Sequence, residues 1–129
     1  MEFNSRVVEE DNFPCNGVSL DEGREIRYLI NNTFDFMYGD IVKMVLTKNA
    51  DVIIANGLYG SDFENKAFKS YVLKIDNGYS IRSDIDNLDG KGTYASDSMF
   101  IYEGNNIKVI SNGKVRVISR RSNEESINR

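Results

Sequence analysis

The first strong periodicity in the chain runs from Ile26 to Met37. Ile26, Leu29, Ile30, Thr33, Phe34 and Met37 recur at i, i+3, i+4, i+7, i+8 and i+11, one stripe of an α-helix. Arg24, Arg27, Asn31, Asn32 and Asp35 fall largely on the polar side. Ser19-Leu20-Asp21-Glu22 has the form of a capping box, in which the Ser19 hydroxyl accepts from the Glu22 amide and the Glu22 carboxylate reaches back. Asp21, Glu22 and Glu25 suit the positive end of the helix dipole. Gly39 suits the left-handed residue that closes a helix. The pattern predicts a helix over about 20–38.

From Asp40 onward the pattern becomes strands and tight turns, and the register of each hairpin follows from which pairing sets apolar against apolar. A two-residue loop at Asn49-Ala50 sets Leu46 against Ile53, Met44 against Ala55 and Lys48 against Asp51. At Asp76-Asn77-Gly78 a three-residue loop, with Gly78 left-handed in a bulge, sets Ile75 against Tyr79 and Leu73 against Ile81. A two-residue Asn77-Gly78 loop sets Leu73 against Arg82, so the three-residue loop is preferred. Asn112-Gly113 is a strong type I′ signal that sets Ile110 against Val115 and Ile107 against Ile118. A turn at Gly104-Asn105 sets Tyr102 against Ile107 and Phe100 against Val109. Both faces of this C-terminal meander are substantially apolar, so one is expected on the helix and the other on a second sheet or a partner.

The fold class expected is α+β: one N-terminal amphipathic helix packed on a meandering antiparallel sheet of about seven strands, curled into a half-barrel or sandwich. Residues 1–18 read as an irregular arm or short edge strand, 19–119 as a single globular domain and 120–129 as a polar tail. Pro14 and Gly17 mark a turn before the helix. Residues 84–98 read as a long loop, and Gly57 to Lys69 as an irregular segment flanked by aromatics.

Composition narrows the chemistry. The 129 residues suffice for one domain with a core. Net charge is −4, which disfavours indiscriminate nucleic-acid binding and suits docking onto a basic surface. The single cysteine, Cys15, leaves no intrachain disulfide and no multi-cysteine zinc site. No apolar run is long enough to span a membrane, and Met1 to Arg6 lack the pattern of a signal peptide, so a reducing cytoplasm is the expected location. Histidine is absent, which removes Ser-His-Asp and Cys-His systems and the commonest metal ligand.

The remaining motifs are weak. Asp84, Asp86 and Asp89 resemble a calcium loop, but in that frame the fifth position is Leu88 and the sixth Asp89 where glycine is needed. Gly90-Lys91-Gly92-Thr93 lacks the first glycine of a phosphate-binding loop. Asn31-Asn32-Thr33 fits a glycosylation pattern but falls on the predicted helix. Cys15 has no neighbouring base, so it reads as inert. No catalytic, cofactor-binding or metal-binding residue is assigned.

The chain therefore reads as a non-enzymatic protein-binding module: an inhibitor, adaptor or immunity-type protein acting on a larger cytosolic partner. A proline-poor, tryptophan-free composition suits an AT-rich genome, phage and other mobile elements included. The partner-binding candidates are Tyr59, Phe63, Phe68, Phe100, Tyr102, Arg116, Arg120 and Arg121. A meander with two apolar faces also leaves a homo-oligomer open. The alternative is a small β-barrel binding single-stranded nucleic acid or a nucleotide through the C-terminal basic residues. A third reading, an enzyme using carboxylates of the 84–98 segment, has no nucleophile–base pair to support it.

Overall fold

The computed structural model describes residues 14–33, 40–60, 65–86 and 93–119. In chain order the elements are β1 (Cys15–Asn16), α1 (Leu20–Asn31), β2 (Asp40–Asn49), β3 (Val52–Gly60), β4 (Asn65–Ile75), β5 (Gly78–Asp86), β6 (Thr93–Glu103), β7 (Asn106–Ser111) and β8 (Lys114–Ser119). The strands form one sheet whose spatial order is the chain order. β1 runs parallel to β2, and every other neighbouring pair is antiparallel. The fold is thus α+β with an N-terminal helix and a single open sheet, and no second sheet completes a sandwich among the described residues.

Ser19 caps α1, its Oγ accepting from the Glu22 amide at 3.1 Å. The helix is shorter than its apolar stripe predicts. Asn32 Nδ2 donates to Tyr28 O and Thr33 Oγ1 to Leu29 O, so local side chains take up carbonyls of the last turn. Ile26, Leu29, Ile30 and Thr33 are buried as the stripe requires, while Phe34, Met37 and Gly39 lie outside the described residues.

The two faces of the sheet are read from its register. One inner row is Ile53, Val72, Ile81 and Ser98; the next is Tyr79, Phe100, Val109 and Arg116; a third is Tyr102, Ile107 and Ile118. Most of these side chains are buried, and they form one core with the apolar stripe of α1. Ser70 and Ser83, also fully buried on this face, satisfy each other at 2.7 Å.

The two C-terminal turns are as expected: Tyr102 faces Ile107, Phe100 faces Val109, Ile110 faces Val115 and Ile107 faces Ile118. Asn112 and Gly113 both have positive φ, 55° and 75°, as a type I′ turn requires.

The two earlier turns correct the sequence reading. The first is Ala50-Asp51, so Leu46 faces Ala55 and Met44 faces Gly57. This two-residue slip keeps every side chain on its face. It also sets Gly57 where a Cβ would fall 1.9 Å from the Lys43 carbonyl oxygen. The second turn is Asp76-Asn77, with Ile75 opposite Gly78 and Val72 opposite Ile81. Asn77, not Gly78, takes the positive φ, 65°. Its carbonyl accepts from the Tyr102 amide at 2.8 Å, and its Nδ2 donates to the Tyr102 carbonyl at 3.0 Å.

Two segments read as loops are mostly strand. β5 runs to Asp86 and β6 begins at Thr93, while β3 and β4 together cover most of Gly57 to Lys69. The driving pattern is inward alternation of Phe68, Ser70 and Val72, of Ser83 and Ile85, and of Ser96, Ser98 and Phe100.

Gly78 is needed because the β6 backbone comes so close that a Cβ would lie 1.9 Å from the Phe100 oxygen. Gly78→Ala should therefore lower the urea midpoint by the equivalent of about 1–3 kcal/mol, the cost of overpacking. A midpoint equal to or above wild type would refute this register.

Candidate functional site

Three features of the sheet bear on function: the polar contacts that seat the helix, a basic recess beside its C-terminus, and the uncovered outer face. Glu22 and Glu25, one helical turn apart, point toward the inner face. Tyr79 Oη donates to Glu22 at 2.8 Å and Tyr102 Oη to Glu25 at 2.5 Å, with the two rings edge-to-face at 6.3 Å. The capping-box expectation is corrected here: the Glu22 carboxylate accepts from Tyr79, on a strand, instead of turning back to its own cap. Arg116 completes the seating, its Nη2 donating to the Asn32 carbonyl at the negative end of α1.

Beyond that end lies a recess of about 290 Å³ lined by Val109, Ser111, Asn112, Lys114 and Arg116. Among the described residues its lining has two cations, a hydroxyl and an amide, and no carboxylate. Ser111 is already engaged, donating to the Asp97 carbonyl at 3.1 Å and accepting from Ser98 at 3.3 Å.

The outer face is apolar and uncovered among the described residues. One row crosses six strands through Val52, Leu73, Ser80, Met99, Ile110 and Val115, a length of roughly 24 Å at ordinary strand spacing. Ile75, Ile101 and Val117 adjoin it along the next row. Leu73 is 42%, Met99 39%, and Val115 and Val117 each 61% exposed. Charges border the face, Arg82 with Asp84 and Asp97 on one side and Lys69 over the Tyr71 ring, while Lys108, paired with Glu103, stands within the second row between Ile101 and Val117.

Against this map, the residues singled out in the sequence scatter. Tyr59, Phe68 and Phe100 are core residues, at most 3% exposed, and present nothing to a partner. Their strands are longer than read, and their positions alternate inward. Tyr102 is half-buried and held by Glu25, and Arg116 is half-buried and held by the end of the helix. Phe63, Arg120 and Arg121 lie outside the described residues. Lys108 and Arg116 are on opposite faces, as the sequence register has them.

Asp84 sits on the outer face 3.6 Å from Arg82, not on a loop. Among the described residues no three His, Cys, Asp or Glu side chains converge to hold a metal, and no helix is long and apolar enough to cross a membrane. Burial pushes the Cys15 thiol up, away from the reactive thiolate. The outer row of Leu73, Met99, Val115 and Val117 was missed residue by residue. Its signal was present in the meander's two apolar faces. Comparison with protein-family models, with curated proteins and with solved structures finds no match to this chain.

Tyr79 carries a measurable pH signature. Burial, then the hydrogen bond to Glu22 and the charges of Glu22 and Glu25, raise its pKa far above the ordinary tyrosine value. The folded state thus holds this proton more tightly than the unfolded chain, whose tyrosines titrate near about 10. Its contribution to stability is complete below that pH and is lost as pH rises through and beyond it. Urea unfolding from pH 8 to 11 should show stability falling above about pH 10, with a shallower fall in Tyr79→Phe. Equal slopes in the two proteins would show that Tyr79 does not carry the effect.

Proposed function

We propose that this chain is a non-enzymatic binding protein that acts on a larger cytosolic protein, as an inhibitor, adaptor or immunity-type protein does, and that it meets that partner through the outer face of its sheet. The observation that carries this reading is the exposed row from Val52 to Val115 together with Val117. A mainly apolar row, broken only by Ser80 and bordered by charge, has the composition of an interface: an apolar centre that can be desolvated, and a polar border that tolerates water. Among the described residues the inner face has its helix and the outer face has no covering element, which leaves the outer face for another molecule. The absence of histidine supports a binding role over general acid–base chemistry.

A second reading rests on the recess at Val109, Ser111, Asn112, Lys114 and Arg116, where two cations and, among the described residues, no carboxylate suit the phosphate of a nucleotide or single strand. It ranks lower because Arg116 already serves the end of the helix, and because the chain is acidic overall.

The test pairs Leu73→Glu with Met99→Glu. Both sites are exposed, so the variant should unfold within about 1 kcal/mol of wild type. Immobilised wild-type protein should recover a stoichiometric protein from lysate of the source cell, and the variant should lose it. The reading fails if wild type recovers nothing stoichiometric, or if the variant recovers the same protein equally well.

A further inference from the structure

β8 ends the sheet, and among the described residues no strand pairs with its outer edge. Asn112-Gly113 is a two-residue turn, so the flanking pair Ser111 and Lys114 exchanges both ladder hydrogen bonds. By the antiparallel alternation, Arg116 opposite Val109 and Ile118 opposite Ile107 do the same. Val115 and Val117 lie at the alternate positions, so their N–H and C=O groups point away from β7 toward the open edge. These same two residues are the most exposed large hydrophobics of the described chain, at 61% each. β8 contains no proline, and its register with β7 runs unbroken from Lys114 to Ser119. Of the devices that protect natural edges, proline and bulges are absent from β8 and charge is present, as Lys114 and Arg116 on its inner side, so the backbone groups themselves are left able to pair.

Charge selects what pairs with it. From Gly104 to Asn123 the chain holds Lys108, which pairs with Glu103, and Lys114, Arg116, Arg120 and Arg121, with no acidic residue within the stretch, although its net charge is −4. A second copy adding edge to edge would bring two such hairpins together. The register with Arg116 opposite Arg116 is disfavoured outright. The register with Val117 on the two-fold axis still crowds like charges along the seam. An acidic strand gains where a second copy loses.

We propose that β8 is an augmentation edge that takes an extended acidic segment of a partner protein as the next strand of the sheet. This rests on the protein-binding reading above and names the docking edge and the chemistry of the docked segment. The incoming strand hydrogen-bonds to the outward N–H and C=O groups of Val115 and Val117. Its side chains alternate: apolar ones extend the outer face beside Val115 and Val117, and carboxylates lie on the inner side beside Lys114.

The test is an amide NMR titration of the full chain with an acetylated, amidated peptide of alternating valine and glutamate. The expected result is saturable shifts at the Val115 and Val117 amides, and none with the alternating valine–lysine peptide. N-methylation of the peptide at every second amide should abolish binding in one phase of the alternation and spare it in the other. Val117→Pro removes an outward N–H but no bond to β7. It should weaken the peptide roughly tenfold or more, the worth of one or two hydrogen bonds, with little change in urea midpoint.

The proposal is overturned if both methylated peptides bind like the parent, if the shifts centre on Leu73 and Met99, or if a single-stranded oligonucleotide displaces the peptide. It is also overturned if light scattering shows a dimer that Val117→Pro dissolves, since a second copy then holds the edge. The lysate experiment separates the two claims. If the Leu73→Glu/Met99→Glu protein loses its partner while Val117→Pro keeps it, the edge proposal falls and the outer-face reading stands; the reverse pattern does the opposite.

Discussion

Ile26, Leu29 and Ile30 are wholly withdrawn from water, and this one helical stripe is what a sheet of eight strands has to pack against among the described residues. A single helix can cover one face of a sheet and not both. That constraint gives the molecule its two sides. The covered side must also accept the flanks of the helix, where Glu22 and Glu25 lie. Their carboxylates stay ordered at the sheet because Tyr79 and Tyr102 donate to them. Arg116 satisfies a carbonyl at the other end of the helix. Three strands, β5, β6 and β8, thus hold α1 along its length and fix which way it faces. The apolar stripe supplies most of the free energy, and the polar contacts supply the orientation.

What was legible in the sequence follows from how many physical signals pointed the same way. At Asn112-Gly113 the turn residues need positive φ, and beyond the flanking Ser111 and Lys114 the register sets Ile110 against Val115 and Ile107 against Ile118, so both demands select one register. At Asp76-Asn77-Gly78 the test of one clean apolar face failed. Both faces of β4 carry apolar residues, Val72 inward and Leu73 outward, so the test could not tell which should be clean. The deciding fact was the close approach of β6 to Gly78, a contact between strands that no local pattern encodes. At Asn49-Ala50 the error was a slip of two residues, which leaves every side chain on its face and is invisible to alternation.

The candidate site was legible as a surface and not as residues. Aromatic side chains suggested contact points, but Tyr59, Phe68 and Phe100 alternate inward on strands longer than their flanking glycines and acids implied. The aspartates at 84 and 86 read as a loop for the same reason. They are the outward members of a strand whose inward members are Ser83 and Ile85. By contrast, the observation that the C-terminal meander is apolar on both faces needed only its period. It survives intact as Phe100, Ile107 and Val109 inside against Met99, Val115 and Val117 outside.

Among the described residues the apolar outer face ends in an unpaired strand, which is a hazard, because exposed edge groups can bind a second copy. The chain answers the hazard with charge placed by position. Its net charge of −4 keeps molecules apart at long range. At the exposed edge the sign reverses, so that two β8 strands approaching each other meet repulsion where their backbones would pair. Lys114 and Arg116 project to the inner side of β8 and Val115 and Val117 to the outer. The repulsion therefore does not spoil the apolar row, and among the described residues no strand takes the edge hydrogen-bonding groups of the valines. A strand that carries acid on one side and apolar residues on the other meets neither obstacle. On this view the charges that keep copies apart also choose the partner, and one placement of cations serves both ends.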